Sequence, residues 1–295
     1  MSLFGPYLGL EARLYYVSEV TYGVTPTNPV MKGYGLIESV DPEIDPGLIQ
    51  IMAIGKHGPT HIKAGLRQPM LKANFGIPFE APYDLITGGP SIASKTIEVI
   101  YEPHDRVGGI IDLLYTGCKV QKSTVECHVE DFIKGSIEFW AQNLAVGTSK
   151  ISGATYPDNQ YYRAPILFHQ SFVDKGDAGG GNYVNIERVT DWKYECNNNL
   201  KRVPVIRSTS GNLLKYLMDR QFTLSGELTL EFESKDEFDQ LLADAEFSLR
   251  FGFAQASGQN VVLKYCKWDY VSAPVKAEDL ISCTARFVGQ EATAA

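Results

Sequence analysis

One stretch of this chain reads like a second version of another. Residues 118 to 142 recur as residues 266 to 290, without a gap and 148 positions on. Cys118-Lys119 falls on Cys266-Lys267, Glu130-Asp131 on Glu278-Asp279, Ile133 on Ile281, Phe139 on Phe287 and Gln142 on Gln290. These identities compare with roughly one or two expected from ordinary composition. An upstream block agrees in order: Arg67-Gln68 sits over Arg220-Gln221, Leu71 over Leu224, and Phe79-Glu80 over Phe232-Glu233, at an offset of 153. The first copy then carries about five extra residues between the blocks. Two collinear blocks imply two similar modules of roughly 150 residues, an ordinary domain size.

Bulk properties narrow the class. With 295 residues, 44% of them hydrophobic, the chain can bury one core or two. Its 16 Tyr and 14 Phe suit β-rich structure. A net charge of -8 argues against a basic surface that grips nucleic acid. No apolar run reaches the ~18 residues of a membrane span. Met1 to Pro6 lacks the basic start and apolar stretch of a signal peptide. Five cysteines, Cys118, Cys127, Cys196, Cys266 and Cys283, are an odd number, so reduced, packed thiols in a protein made in the cytoplasm are expected.

Along the chain, residues 1–30 read as an N-terminal arm, with Glu11 to Val17 a short strand or helix and Gly23 to Pro29 extended, that contacts a neighbouring subunit or frays. Residues 31–148 form the first module, 149–183 a turn-rich linker that packs in part, and 184–295 the second module. Short strands are expected at Gly35 to Val40, Leu48 to Ala53, Leu71 to Phe79 and Thr96 to Tyr101, with Pro42 and Pro46 as turn signals. The clearest strand is Phe222 to Glu233, where Phe222, Leu224, Gly226, Leu228, Leu230 and Phe232 alternate with Thr223, Ser225, Glu227, Thr229, Glu231 and Glu233. A helix follows it, opened by a Ser234 to Glu237 capping box, with Phe238, Leu241, Leu242 and Ala245 on one face. The first copy has only Pro82 to Ile86 there, so its helix should be short or missing. Gly109 to Tyr115 has helical periodicity, but the repeat lays it over β-branched Val261-Val262, so both are expected as strands. Ser123 to Val129 and Gly135 to Ala141 add a further pair, mirrored by Ile281 to Val288.

No constellation stands above background as a catalytic, cofactor-binding or metal site. His57 and His61 flank Gly58-Pro59, which prevents a helix from aligning them. Cys127 and His128 are adjacent and, on a strand, point to opposite faces; Cys118 adds nothing to them. Gly179-Gly180-Gly181 is not followed by the Lys-Ser or Lys-Thr of a phosphate loop. Ser208-Thr-Ser-Gly211 lacks the flanking glycine of a nucleophile elbow. Glu126, Glu130 and Asp131 read as a solvated strand face rather than a catalytic carboxylate pair. No enzyme and no cofactor are expected.

Several segments, in order, resemble the tail tube proteins of tailed bacteriophages and archaeal viruses. These are Glu19-Val-Thr-Tyr-Gly-Val-Thr-Pro26, Tyr115-Thr-Gly-Cys-Lys-Val120 with Ser123-Thr-Val-Glu126, Cys196-Asn-Asn-Asn-Leu200, and Gly226-Glu-Leu-Thr-Leu-Glu231 with its helix. The resemblance implies a mainly β fold of two β-sandwich or barrel modules, each flanked by a helix that is weak in the first copy. It implies a structural virion tail subunit that stacks as rings into a channel for double-stranded DNA. Its partners would be itself, as trimeric pseudo-hexameric rings, together with tape measure and tail terminator or tip proteins. The poor helix of the first copy departs from the family pattern, so the two halves are not interchangeable. Rival readings are a cell-surface or carbohydrate-binding β-sandwich pair and a β-sandwich hydrolase.

Overall fold

The computed structural model describes residues 7–77, 86, 93–103, 109–157, 164–206, 211–253, 260–275 and 280–294. The fold is mainly β. The first half contributes β1 (Ala12–Ser18), β2 (Lys32–Gly33), β3 (Leu36–Asp45), β4 (Ile49–Ile51), β5 (His61–Lys63), β6 (Gln68–Gly76), β7 (Lys95–Tyr101), β8 (Ile111–His128), β9 (Lys134–Trp140) and β10 (Asn143–Gly147). The second contributes β11 (Phe172–Gly176), β12 (Val184–Asn185), β13 (Val189–Asn197), β14 (Lys201–Val203), β15 (Tyr216–Met218) and β16 (Thr223–Glu231). After these come α1 (Asp236–Leu242), β17 (Phe247–Gly252), β18 (Asn260–Ser272), β19 (Ser282–Gly289) and β20 (Glu291–Ala294).

A central antiparallel sheet runs in the order β3-β6-β9-β8-β13-β16-β19-β18. Two flanking sheets, β2-β1-β7-β8-β10 and β12-β11-β17-β18-β20, share its long strands. β8 and β18 therefore each serve two sheets, one with the N-terminal part and another with the C-terminal part. The switch needs a bend, and it comes at a bulge with positive φ, 65° at Gly117 and 51° at Tyr265. A bulge supplies local twist and bending that a regular ladder cannot.

The two halves run through one order of partners. β1 pairs β7, β7 pairs β8, β8 pairs β10 and β9, β9 pairs β6, and β6 pairs β3. In the second half β11 pairs β17, β17 pairs β18, β18 pairs β20 and β19, β19 pairs β16, and β16 pairs β13. Register agrees as well: Val120 faces Phe139 and Trp268 faces Phe287, each pair 148 positions from the other. The ladder slips next to both, between Val120 and Lys122 and between Trp268 and Tyr270. A second slip, between Ile37 and Ser39, recurs between Val189 and Asp191.

Strand partners correct one detail of the sequence alignment. Leu71 lies opposite Phe139, whereas Leu224 lies opposite Gly289, and Gly226 is the residue opposite Phe287. The upstream blocks correspond two positions away from the offset of 153. A two-residue slip keeps every side chain on its own face, so residue identities alone do not expose it. Phe79 and Glu80 lie outside the described residues, as does most of the segment where the first copy's helix was expected.

The expected linker and arm both contain sheet. β11 falls within 149–183, and β1 falls within 1–30 with Leu14, Tyr15 and Tyr16 buried. The Ser234 hydroxyl accepts the amide of Asp236 at 3.3 Å, but Glu237 does not complete a capping box. It turns inward, buried, to the Arg188 guanidinium at 2.6 Å. Between the sheets, aromatic rings fill the core. Tyr34 sits 4.6 Å from Tyr16 and 6.2 Å from Phe139, and Trp192 sits 4.8 Å from Phe251.

Candidate functional site

Period-two alternation gives the central sheet one apolar face and one open, polar face. Leu71, Val125, Phe139, Tyr194, Leu228 and Phe287 are buried on the inner side. Their neighbours along each strand point the other way. Lys122 stands opposite Glu138, Glu126 opposite Lys134 and Lys193, and Glu227 opposite Lys193 and Arg286. The result is a continuous polar surface across both halves of the chain.

Its cations are largely matched by carboxylates. Lys122 pairs with Glu195 at 2.8 Å, Lys193 with Glu126 at 3.1 Å, Arg286 with Glu227 at 2.7 Å and Lys134 with Asp131 at 2.6 Å. Lys119 is bound by both oxygens of Asp219 at 3.0 Å, and His128 meets Asp191 at 2.6 Å. The Glu227 hydrogen bond holds Arg286 more firmly in its charged form. Exposed pairs of this kind add little to stability. Their consequence is electrostatic, because a cation already facing a carboxylate attracts a passing phosphate less strongly. A family model described as phage tail tube protein matches residues 9–289. This chain belongs to the phage tail tube proteins. No curated protein matches it.

Tail tube proteins are structural components of the virion tail that assemble with themselves and with other tail components. In this tail tube protein the N-terminal motif residues act as internal ties. Glu19 accepts hydrogen bonds from the amides of Gly117 (2.8 Å) and Gly23 (2.7 Å) and from the Thr96 hydroxyl (2.9 Å). The Tyr22 hydroxyl accepts the amide of Leu217 at 3.0 Å, joining the first half to the second, and burial raises its pKa. Asn198, from the Asn-Asn-Leu turn, donates to the Val120 carbonyl at 2.9 Å across the same junction.

The β14–β15 hairpin docks on the first half too. Leu200, Leu214 and Leu217 pack against Leu66 and Trp140, Arg202 stacks 3.8 Å over the Trp140 ring, and Gln142 donates to the carbonyls of Leu214 (3.0 Å) and Lys215 (2.8 Å).

The candidate chemistry-bearing residues are scattered. His57 and His61 are exposed near the β4–β5 hairpin. Cys127 is buried while His128 points outward, as strand geometry dictates. Glu126 and Asp131 hold different lysines, and Glu130 sits in a turn at φ 67°. Gly179-Gly180-Gly181 lies in the turn before β12. Ser208, Thr209 and Ser210 lie outside the described residues. All five cysteines are free and buried, and burial pushes the thiols of Cys196 and Cys266 up to about 12. Among the described residues no group of three His, Cys, Asp or Glu could hold a metal ion, and no helix is long and apolar enough to cross a membrane.

The tie from Glu19 and the matched cations of the open face were missed as functional features in the sequence. Of the open face, Glu227 and Glu231 were legible from the alternation of β16, and Glu126 as part of a solvated strand face.

Proposed function

We propose that this chain is a tube subunit built from two copies of one module, β1 to β10 and β11 to β20, and that three chains close a ring with six module positions. Stacked rings then form the channel through which double-stranded DNA leaves the virion. The observation that carries this reading is the repeated order and register of strand pairing, including bulges at corresponding positions. A chain that holds two ring positions needs three copies for six, and closed cyclic symmetry is the common solution for soluble assemblies.

In this reading the open polar face of the central sheet lines the bore. A protein that neutralises phosphates with Lys or Arg gains salt-dependent affinity for DNA. Here the carboxylates matched to Lys122, Lys193 and Arg286 oppose that affinity, so DNA passes without sticking. Tape measure and tail terminator or tip proteins are the further partners in this reading. Negative-stain microscopy of purified protein should reveal rings or tubes, and mass measurement of a ring should give three chains. Monodisperse monomers at high concentration, or six chains per ring, would contradict the proposal.

A further inference from the structure

The junction between the halves of one chain is a template for the junction between chains. Inside the chain β8 pairs with β13, so that Lys122 faces Asn197, Ser123 faces Cys196 and Val125 faces Tyr194. By register, β13 corresponds to β3 (Ile37 to Val189, 152 positions) and β8 to β18 (Val120 to Trp268, 148 positions). Among the described residues β3 pairs only with β6, and 267–272 of β18 only with β19. These are the two outer edges of the central sheet.

Burial points the same way. Cys196 is fully buried, while Ile44, at the corresponding place in β3, is 44% exposed. Leu200 and Leu217 of the docked hairpin are 6% and 2% exposed; their counterparts Leu48 and Ile62 are 62% and 57% exposed. The receiving side is present as well. Gln290 corresponds to Gln142, and the backbone amides of both close onto matching carbonyls, Lys264 at 3.1 Å and Thr116 at 3.0 Å. Val288, 46% exposed, stands where Trp140 receives the hairpin in the first half.

Resting on the ring reading above, we propose that β3 of one chain adds to the 270–275 edge of a second copy in the register of the internal junction. Tyr270 then faces Asp45, Val271 faces Ile44 and Ala273 faces Pro42. The β4–β5 hairpin docks over Val288 of the same neighbour, with Gln290 donating to the carbonyls of Pro59 and Thr60. Pro42 removes one amide from the β3 edge, since a proline in an edge strand has its nitrogen on the unpaired side. The acids Asp41, Glu43 and Asp45 guard that edge against unselective pairing in the free subunit.

Cysteine trapping tests the register. Residues directly opposed on antiparallel strands have Cα atoms about 4.5–5.5 Å apart, within the span a disulfide needs. An Ile44→Cys/Val271→Cys chain, oxidised after assembly, should give covalent trimers on non-reducing gels. An Ile44→Cys/Ala273→Cys chain, displaced by two residues, should give far fewer. Rings that cross-link best at the displaced pair, or at neither, overturn the register while leaving the ring reading intact; absence of rings in the wild type overturns both. Since Ile62 is exposed in the single chain, Ile62→Asp should retain the wild-type circular dichroism and lose ring formation. Rings formed as readily by this variant would overturn the hairpin docking.

Discussion

Glu19 Oε1 accepts the backbone amide of Gly117 at 2.8 Å, across 98 residues of chain. Gly117 is the positive-φ residue at the point where β8 leaves the flanking sheet for the central one. The same carboxylate takes the Thr96 hydroxyl and the Gly23 amide. It thus binds strand switch, neighbouring strand and N-terminal turn together. A hydrogen bond to a charged group contributes about 1.5–3 kcal/mol, so Glu19→Ala should destabilise the protein by at least about 2 kcal/mol. A melting temperature within about 1 °C of wild type would show that water replaces the carboxylate without loss.

The N-terminal segment is the second test. If residues 1–27 were only an arm, their deletion would leave a folded protein with shorter tubes. β1 lies within them, pairing β7 along seven residues and burying Leu14, Tyr15 and Tyr16. Removing residues 1–27 should therefore abolish the cooperative unfolding transition. A truncated protein with wild-type circular dichroism and a sharp melt would refute this.

Gly226 permits a close approach inside the central sheet. A Cβ there would lie 2.3 Å from the Phe287 ring and 2.5 Å from the Lys193 carbonyl. Gly226→Ala should cost about 1–3 kcal/mol through overpacking. Phe287→Leu should relieve only the ring clash, so the double variant should be less destabilised than the sum of the two. Additive losses in denaturant melts would mean the two sites are not coupled.

Stability should also depend on pH through Asp112. Burial, and then the charge of Glu98 beside it, push the Asp112 carboxyl up to about 7. Glu98 is itself buried, accepting the Ile151 amide at 3.0 Å and the Tyr156 hydroxyl at 2.7 Å. Because the folded pKa is above the unfolded one, the folded state holds the extra proton between the two. The contribution is present below about pH 4 and is lost as pH rises through about 7. Asp112→Asn should flatten that decline, giving a smaller stability difference between pH 5 and pH 8 in urea melts. An unchanged difference would place the titration elsewhere.

The charge of the open face gives the last prediction. Glu195→Lys and Glu227→Lys remove the partners of Lys122 and Arg286 and add cations to the same surface. Assembly should persist, since exposed pairs contribute little to stability. Genome release by virions carrying both changes should slow, most at low ionic strength where screening is weakest. Release at the wild-type rate in low salt would refute a channel that works by matching its cations.

The face each strand presents was legible in the alternation of its residues. Leu224, Leu228 and Leu230 alternate with polar residues, and they are buried on one side of β16. The offset of 148 was legible too, because the Cys118 to Gln142 block shares enough identities with residues 266–290 to align with them. The partner of each strand was settled only by the folded arrangement. The alternation of β6 and β16 is unchanged by a slip of two residues, so only Phe139 and Phe287 across the ladder distinguish one register from the other. Where β8 changes sheets was not legible locally, because the Gly117 bulge is tied to the Glu19 carboxylate from far along the chain. The polar face followed the same logic: period two marks Glu227 as outward, but Arg286 became its partner only when β19 was laid beside β16. Local pattern encodes the side of the sheet, and long-range pairing encodes the neighbour.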